Sequence, residues 1–155
     1  MLFRSFIEDP LRVLRGMQFA ARFQLRACPE TLDLCRSMRS SFAELPPSRV
    51  REEWFKWAAR STKPSLGLQF LRDSGWLEHF PELSNTLGVP QEPEWHPEGD
   101  VWVHTLHCMD ALVELPSWKH ADETTRICLS LAVLDRKSTR LNSSHVALSR
   151  MPSSA

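Results

Sequence analysis

Phe6–Phe23, FIEDPLRVLRGMQFAARF, decides how the rest of the chain is read. Asp9 is of a type that caps helices by accepting a backbone N–H. Pro10 suits a first helical position, where no N–H is needed. Val13, Leu14, Met17, Ala20 and Ala21 then recur at intervals of three and four, which predicts an amphipathic helix from about Pro10 to Leu25. Arg12 stands three residues past Asp9, a separation at which both side chains leave the first turn on one side. Two readings stay open. One is an ordinary helix start with a cap and an ion pair. The other turns on what such a pair recognises.

A carboxylate only accepts hydrogen bonds and a guanidinium only donates them. Cytosine and adenine present an amino donor beside a ring-nitrogen acceptor; uracil and guanine present a carbonyl beside a ring N–H. A side-by-side Asp/Arg pair therefore suits C and A, and the wrong base leaves buried polar groups unsatisfied at about 1–3 kcal/mol each. On these residues the chain resembles a known family. Glu8–Phe23, EDPLRVLRGMQFAARF, is similar to the nucleotide-selecting motif of bacterial-type tRNA nucleotidyltransferases, the CCA-adding enzymes, which bacterial poly(A) polymerases share. Pro47–Lys56, PSRVREEWFK, resembles the family's Glu-Arg-x-x-x-Glu-x-x-Lys segment, with Ser48 in place of the first glutamate. Gln91–Thr105, QEPEWHPEGDVWVHT, resembles the opening of the HD-type domain of many members. The three segments follow one another in family order.

The resemblance implies an all-α fold: the helical neck and RNA-binding body of a nucleotidyltransferase, then the truncated start of an HD-type helical domain. It implies nucleotide-binding roles for Glu8, Asp9, Arg12 and Arg15. Asp9 and Arg12 would read the base edge and Glu8 would orient them. Arg49 and Glu53 would brace that turn, and Arg22, Arg51, Lys56 and Arg60 would support RNA binding. The substrates implied are ATP and CTP, with a tRNA or other RNA 3′ end as partner. Mg and the catalytic carboxylates would belong to a head domain preceding Phe6, so no catalytic residue and no bound cofactor are expected here, and the chain alone is expected to be inactive. His104 matches the first metal histidine of HD domains. The other ligands would be a His-Asp pair just after the LAVL run and a later Asp, and His96 and His107 offer no convincing three-ligand face with His104, so any metal role is read as vestigial. Alternatives from other classes are an HD-type metal-dependent phosphohydrolase fragment and a helical RNA-binding module without catalysis.

The ends read differently. Asp135–His145, DRKSTRLNSSH, and Ser149–Ala155 back-translate into a sequencing-library adapter, and Met1–Ser5 into its complement. The expected division is therefore 1–5 as adapter, 6–63 as neck and RNA-binding helices, 64–99 as helical body and loop, 100–134 as truncated HD-type start, and 135–155 as disordered adapter. Asp135 then belongs to the adapter. The whole chain is neutral, with 19 basic and 19 acidic side chains. Its charge is polarised: residues 6–63 carry 11 Lys/Arg and 7 Asp/Glu, whereas 64–134 carry 3 and 11. A basic front half suits phosphate contact and an acidic back half argues against a second nucleic-acid surface. Cys28, Cys35, Cys108 and Cys128 lack CxxC or zinc-type spacing and read as buried thiols in a reducing cytoplasm. No stretch approaches the roughly 20 apolar residues of a membrane span.

Later segments predict further helices. One starts near Pro29 and Glu30 and buries Leu32, Leu34, Cys35 and Met38. Another follows Pro46-Pro47 with Val50, Trp54, Trp57 and Ala58 inward. A fourth is capped by Ser65 and stops at Gly75. Trp76, Leu77, Phe80 and Leu83 have core spacing rather than the look of a base-stacking platform. A loop spans Asn85–Gly99, and helices cover about Asp100–Leu115 and Ala121–Leu134.

Overall fold

The computed structural model describes residues 8–148, with side chains through Arg136. Among the described residues the regular structure is helical: α1 (Leu11–Phe23), α2 (Pro29–Ser37), a 3₁₀ turn (Arg39–Glu44), α3 (Pro47–Arg60), α4 (Pro64–Asp73), a 3₁₀ turn (Trp76–His79), α5 (Pro81–Ser84), α6 (Val101–Glu114), α7 (Pro116–Lys119) and α8 (Glu123–Leu148). Proline punctuates it. Five helices carry Pro in the first turn, where its missing N–H costs nothing and its fixed φ is already helical.

Helix α1 is the hub and packs on both α3 and α4; α4 meets α6, while α8 closes against α3 and α6. Leu11, Val13, Leu14, Met17, Ala20 and Ala21 form the buried face of α1. They join Trp57 of α3, Leu68 and Leu71 of α4, Trp76, Trp102 and Met109 of α6, and Leu134 of α8 in one apolar cluster. Burying a Leu or Met side chain is worth about 1.5–3 kcal/mol, so this face dominates the stability of α1. Gly67 permits the closest approach. A Cβ there would lie 2.7 Å from the Met17 backbone oxygen and 2.8 Å from Trp57 Nε1. The Trp57 indole donates to the Pro64 carbonyl at 3.3 Å, and the N–H groups of Thr62 and Lys63 donate to Ala21 O. These bonds tie the α3–α4 corner to the end of α1.

Several boundaries differ from the sequence expectation. Helix α1 stops at Phe23, where Gln24 turns left-handed at φ 55°. Helix α4 begins at Pro64, not after Ser65. Ser65 lies inside the first turn, buried, and its N–H donates to Asp110 Oδ1 at 3.0 Å. Gly75 does end that segment, at φ 75°. Asp100 caps α6 by accepting from Val103 N–H at 2.8 Å. The final helix runs to Leu148, so the backbone of 135–148 is helical where disorder was expected. Asp135–Leu148 contains neither Gly nor Pro, and nothing in it interrupts a helix already under way. Residues 1–5 and 149–155, the remainder of the expected adapter flanks, lie outside the described residues.

Leu32, Leu34, Val50, Trp54 and Phe80 are only partly buried, packed against the cluster's edge. Trp54 stacks edge-on against Trp57 and Phe80. The cysteines do not share one environment: Cys35 is buried, Cys108 intermediate, and Cys28 and Cys128 are exposed. Both exposed thiols lie on the solvent side, which corrects the expectation of four buried ones. Among the described residues no helix is long and apolar enough to cross a membrane.

Candidate functional site

Helix starts leave N–H groups without intrahelical partners. At the start of α1, Asp9 supplies one acceptor to that set: its Oδ1 accepts from Leu11 N–H at 3.2 Å, and its backbone oxygen accepts from Arg12 N–H at 3.0 Å. Asp9 thus satisfies a donor at the helix start as expected, although the cap position itself falls on Pro10, one residue later than the sequence placed it. Its second carboxylate oxygen faces two guanidinium groups, Arg49 Nη2 at 3.6 Å and Arg15 Nη1 at 4.0 Å. Arg15 comes from the next turn of α1, and Arg49 reaches across from the first turn of α3.

Below them sits Glu53, 2% exposed in the middle of α3. Its Oε1 accepts from Lys56 Nζ at 2.8 Å and lies 3.7 Å from Arg15 Nε. The packing of α1 on α3 makes Glu53 a buried carboxylate. A buried charge is tolerated when it is paired and hydrogen-bonded. Arg15 joins the two acids, so Arg49, Asp9, Arg15, Glu53 and Lys56 form one continuous chain of charge. The basic members keep more than two fifths of their side chains exposed, so the chain has a cationic, solvent-facing rim.

Arg12 takes no part in that chain. The expected Asp9–Arg12 ion pair is not formed, because Asp9 turns to Arg15 and Arg49. Arg12 is half-buried, its Nε is sealed from solvent without a hydrogen-bond partner, and among the described residues no acidic group pairs with it. An unsatisfied buried donor costs about 1–3 kcal/mol. Glu8 is exposed immediately before the turn. Thus Asp9, Arg15, Arg49, Glu53 and Lys56 are brought together, Glu8 and Arg12 flank them, and the rest lie elsewhere. Arg22 is exposed over the Phe23 ring at 5.0 Å, Arg51 is exposed on the outer face of α3, and Arg60 pairs with Glu123 of α8 at 3.2 Å.

At the other end of the molecule, the loop before α6 folds His96 and Glu98 onto His104. His96 Nδ1 lies 3.1 Å and His104 Nδ1 2.5 Å from the same oxygen, Glu98 Oε1. The two imidazoles meet edge to face at 4.6 Å. Hydrogen bonding from His104, the Glu98 backbone and His96 pulls the Glu98 carboxyl down to about 2. Spacing missed this cluster, because the turn at Gly99 (φ 122°) and the bonds from Asp100 decide which loop residues meet the helix. His107, exposed on α6, stays outside it. The ligand set implied by the HD resemblance does not fit these residues. His104 borders a cleft with Thr105, Cys108 and Val133, whereas Asp135 borders a different one with Trp54, Phe80 and Leu83.

Comparison with known proteins agrees with this helical body. Residues 28–87 match a family described as the probable RNA and SrmB-binding site of polymerase A. Three relatives named Multifunctional CCA protein align at high identity. That of Psychromonas ingrahamii is 44% identical over 72% of this chain and 28% of its own length. Those of Aliivibrio salmonicida and Acinetobacter baumannii are 44% and 45% identical over 66% of the chain and 26% of theirs. The chain thus spans little more than a quarter of the relatives it matches. No solved structure gives a significant match. With residues 28–87 matching that RNA-binding family, relatives of one kind aligned over two thirds of the chain, and an all-helical body, the chain belongs to the family of CCA-adding enzymes and bacterial poly(A) polymerases.

Proposed function

We propose that this chain is the base-selecting and RNA-contacting portion of an RNA nucleotidyltransferase that adds CCA to tRNA 3′ ends in the cytoplasm, with ATP and CTP as nucleotides. In this reading residues 6–63 are the neck and first RNA-binding helices, 64–99 the rest of the body, and 100–134 the start of an HD-type domain. Nucleotidyl transfer also requires carboxylates that hold Mg²⁺ to align the triphosphate, and these are assigned to a head domain in the longer enzyme. The observation that carries the proposal is Asp9, held by the Leu11 N–H and facing the half-exposed Arg15 and Arg49 guanidinium groups at the mouth of α1. Such an arrangement offers an acceptor next to guanidinium donors, the complement of the amino-and-ring-nitrogen edge of C and A, with Arg12 of the same turn as the base-reading donor that the family resemblance implies. Arg49 and Glu53 brace it from α3. The exposed Arg22 and Arg51, with Lys56 and Arg60, supply phosphate contacts.

The test is RNA binding by the chain. A tRNA lacking its terminal CCA is expected to bind with salt-dependent affinity. Neutralising Arg22 and Arg51 together is expected to weaken binding and to lower the log–log salt slope by about one for each phosphate left without its cation. Binding that ignores both salt and these substitutions would overturn the RNA-contacting part of the proposal.

A further inference from the structure

We propose that His96, Glu98 and His104 form a transition-metal site in which two imidazole nitrogens and one carboxylate oxygen clasp the loop to α6. Their ligand atoms all lie within 4.8 Å of one another. Both rings turn Nδ1 toward the same Glu98 oxygen. With metal–nitrogen and metal–oxygen distances of about 2.0–2.2 Å, a tetrahedral ion sets neighbouring ligand atoms about 3.3 Å apart. The His96–Glu98 separation of 3.1 Å is already close to that. The His104–Glu98 pair has only to open by under about 1 Å, a change that side-chain rotation supplies. Two imidazoles and a carboxylate suit Zn²⁺, Co²⁺ or Fe²⁺, whereas Mg²⁺ and Ca²⁺ prefer all-oxygen shells.

The surroundings are built to hold the groups in place. The loop is pinned by Val101 N–H to Val89 O at 3.0 Å, Gly88 N–H to Asp100 Oδ2 at 2.8 Å, and His96 N–H to Glu92 O at 2.9 Å. His104 Nε2 lies 3.2 Å from Cys108 Sγ. That neighbour orients the ring with Nδ1 toward Glu98, as outer partners of metal-bound histidines do. The three side chains are 17–26% exposed, which leaves a fourth position open to water. This ligand set lies within nine residues of sequence and shares only His104 with the set implied by the HD resemblance.

The experiment is titration of the full chain with Co²⁺, read by its visible ligand-field bands and by competition with Zn²⁺. The expected result is one Co²⁺ per chain with four-coordinate bands, displaced by Zn²⁺. His96→Ala and Glu98→Gln are each expected to weaken binding at least about tenfold, while His107→Ala leaves it unchanged; circular dichroism confirms retained helix. Lack of a one-to-one four-coordinate complex in the unmodified chain overturns the proposal, leaving a hydrogen-bonded cluster only. So does unaltered Co²⁺ affinity in folded His96→Ala and Glu98→Gln.

Discussion

Spacing at Asp9 suggested a partner three residues on, yet the carboxylate selects Arg15 and Arg49. The i,i+3 rule weighs neighbours on one helix, whereas α3 delivers a second guanidinium from a distance in sequence that no local rule includes. Glu53 shows the same limit: its burial is a property of the α1–α3 packing, and spacing exposes only its bond to Lys56. Because Lys56 and Arg15 both address Glu53, each covers for the other. Lys56→Ala or Arg15→Ala alone is expected to cost about 1 kcal/mol, discounted because both side chains are two fifths exposed. Together they strand a buried carboxylate and are expected to cost about 3 kcal/mol, more than the sum of the singles. Urea denaturation of the four proteins measures this coupling, and strict additivity would contradict it. A second residue-scale expectation concerns thiols. Burial pushes Cys35 up to about 11, so near pH 8 it holds almost no thiolate. Cys28 and Cys128 are expected to react promptly with a disulfide reagent, and Cys35 only on unfolding.

At the scale of elements, the helices with a clear apolar period and a proline at the start were legible. α1 displays its buried face in Val13, Leu14, Met17, Ala20 and Ala21, and α3 announces itself after Pro46-Pro47. Ser65 misled because serine is a favoured cap type, while Pro64 is the stronger signal at a first helical position. The last helix was illegible past Leu134, since Asp135–Leu148 has no apolar period to reveal it and no breaker to end it. The loop cluster was equally hidden: which of His96, Glu98 and His107 meets His104 depends on the Gly99 turn. Gly67 gives the sharpest prediction at this scale. Alanine in its place gains about 1 kcal/mol of helix propensity. The added methyl meets backbone at Met17 O and the rigid Trp57 indole, an overpacking that costs more. Gly67→Ala is expected to lower the Tm by about 2–6 °C. Gly16→Ala, which meets only the tip of the Phe70 ring, is expected to be milder. Equal effects would mean that the α1–α4 approach is looser than the packing shows.

For the molecule as a whole, charge and topology agree. The basic front half of the sequence becomes the α1–α3 face, with Arg15, Arg49 and Lys56 at its rim, and the acidic back half forms α4 to α7, the loop before α6 and the start of α8. One apolar cluster joins the two halves, so the turn before α1 is held by the same core that carries α6. In the proposed reading, this core makes the turn rigid so that it can discriminate between bases. The most direct measurement is nucleotide choice in a full-length relative with Ala at the position corresponding to Arg12. Incorporation of CTP and ATP relative to UTP and GTP is expected to fall by about 10- to 100-fold, matching the loss of one or two base-edge hydrogen bonds. A ratio of correct to incorrect nucleotides that stays at its unmodified value would contradict the base-selecting role of this turn.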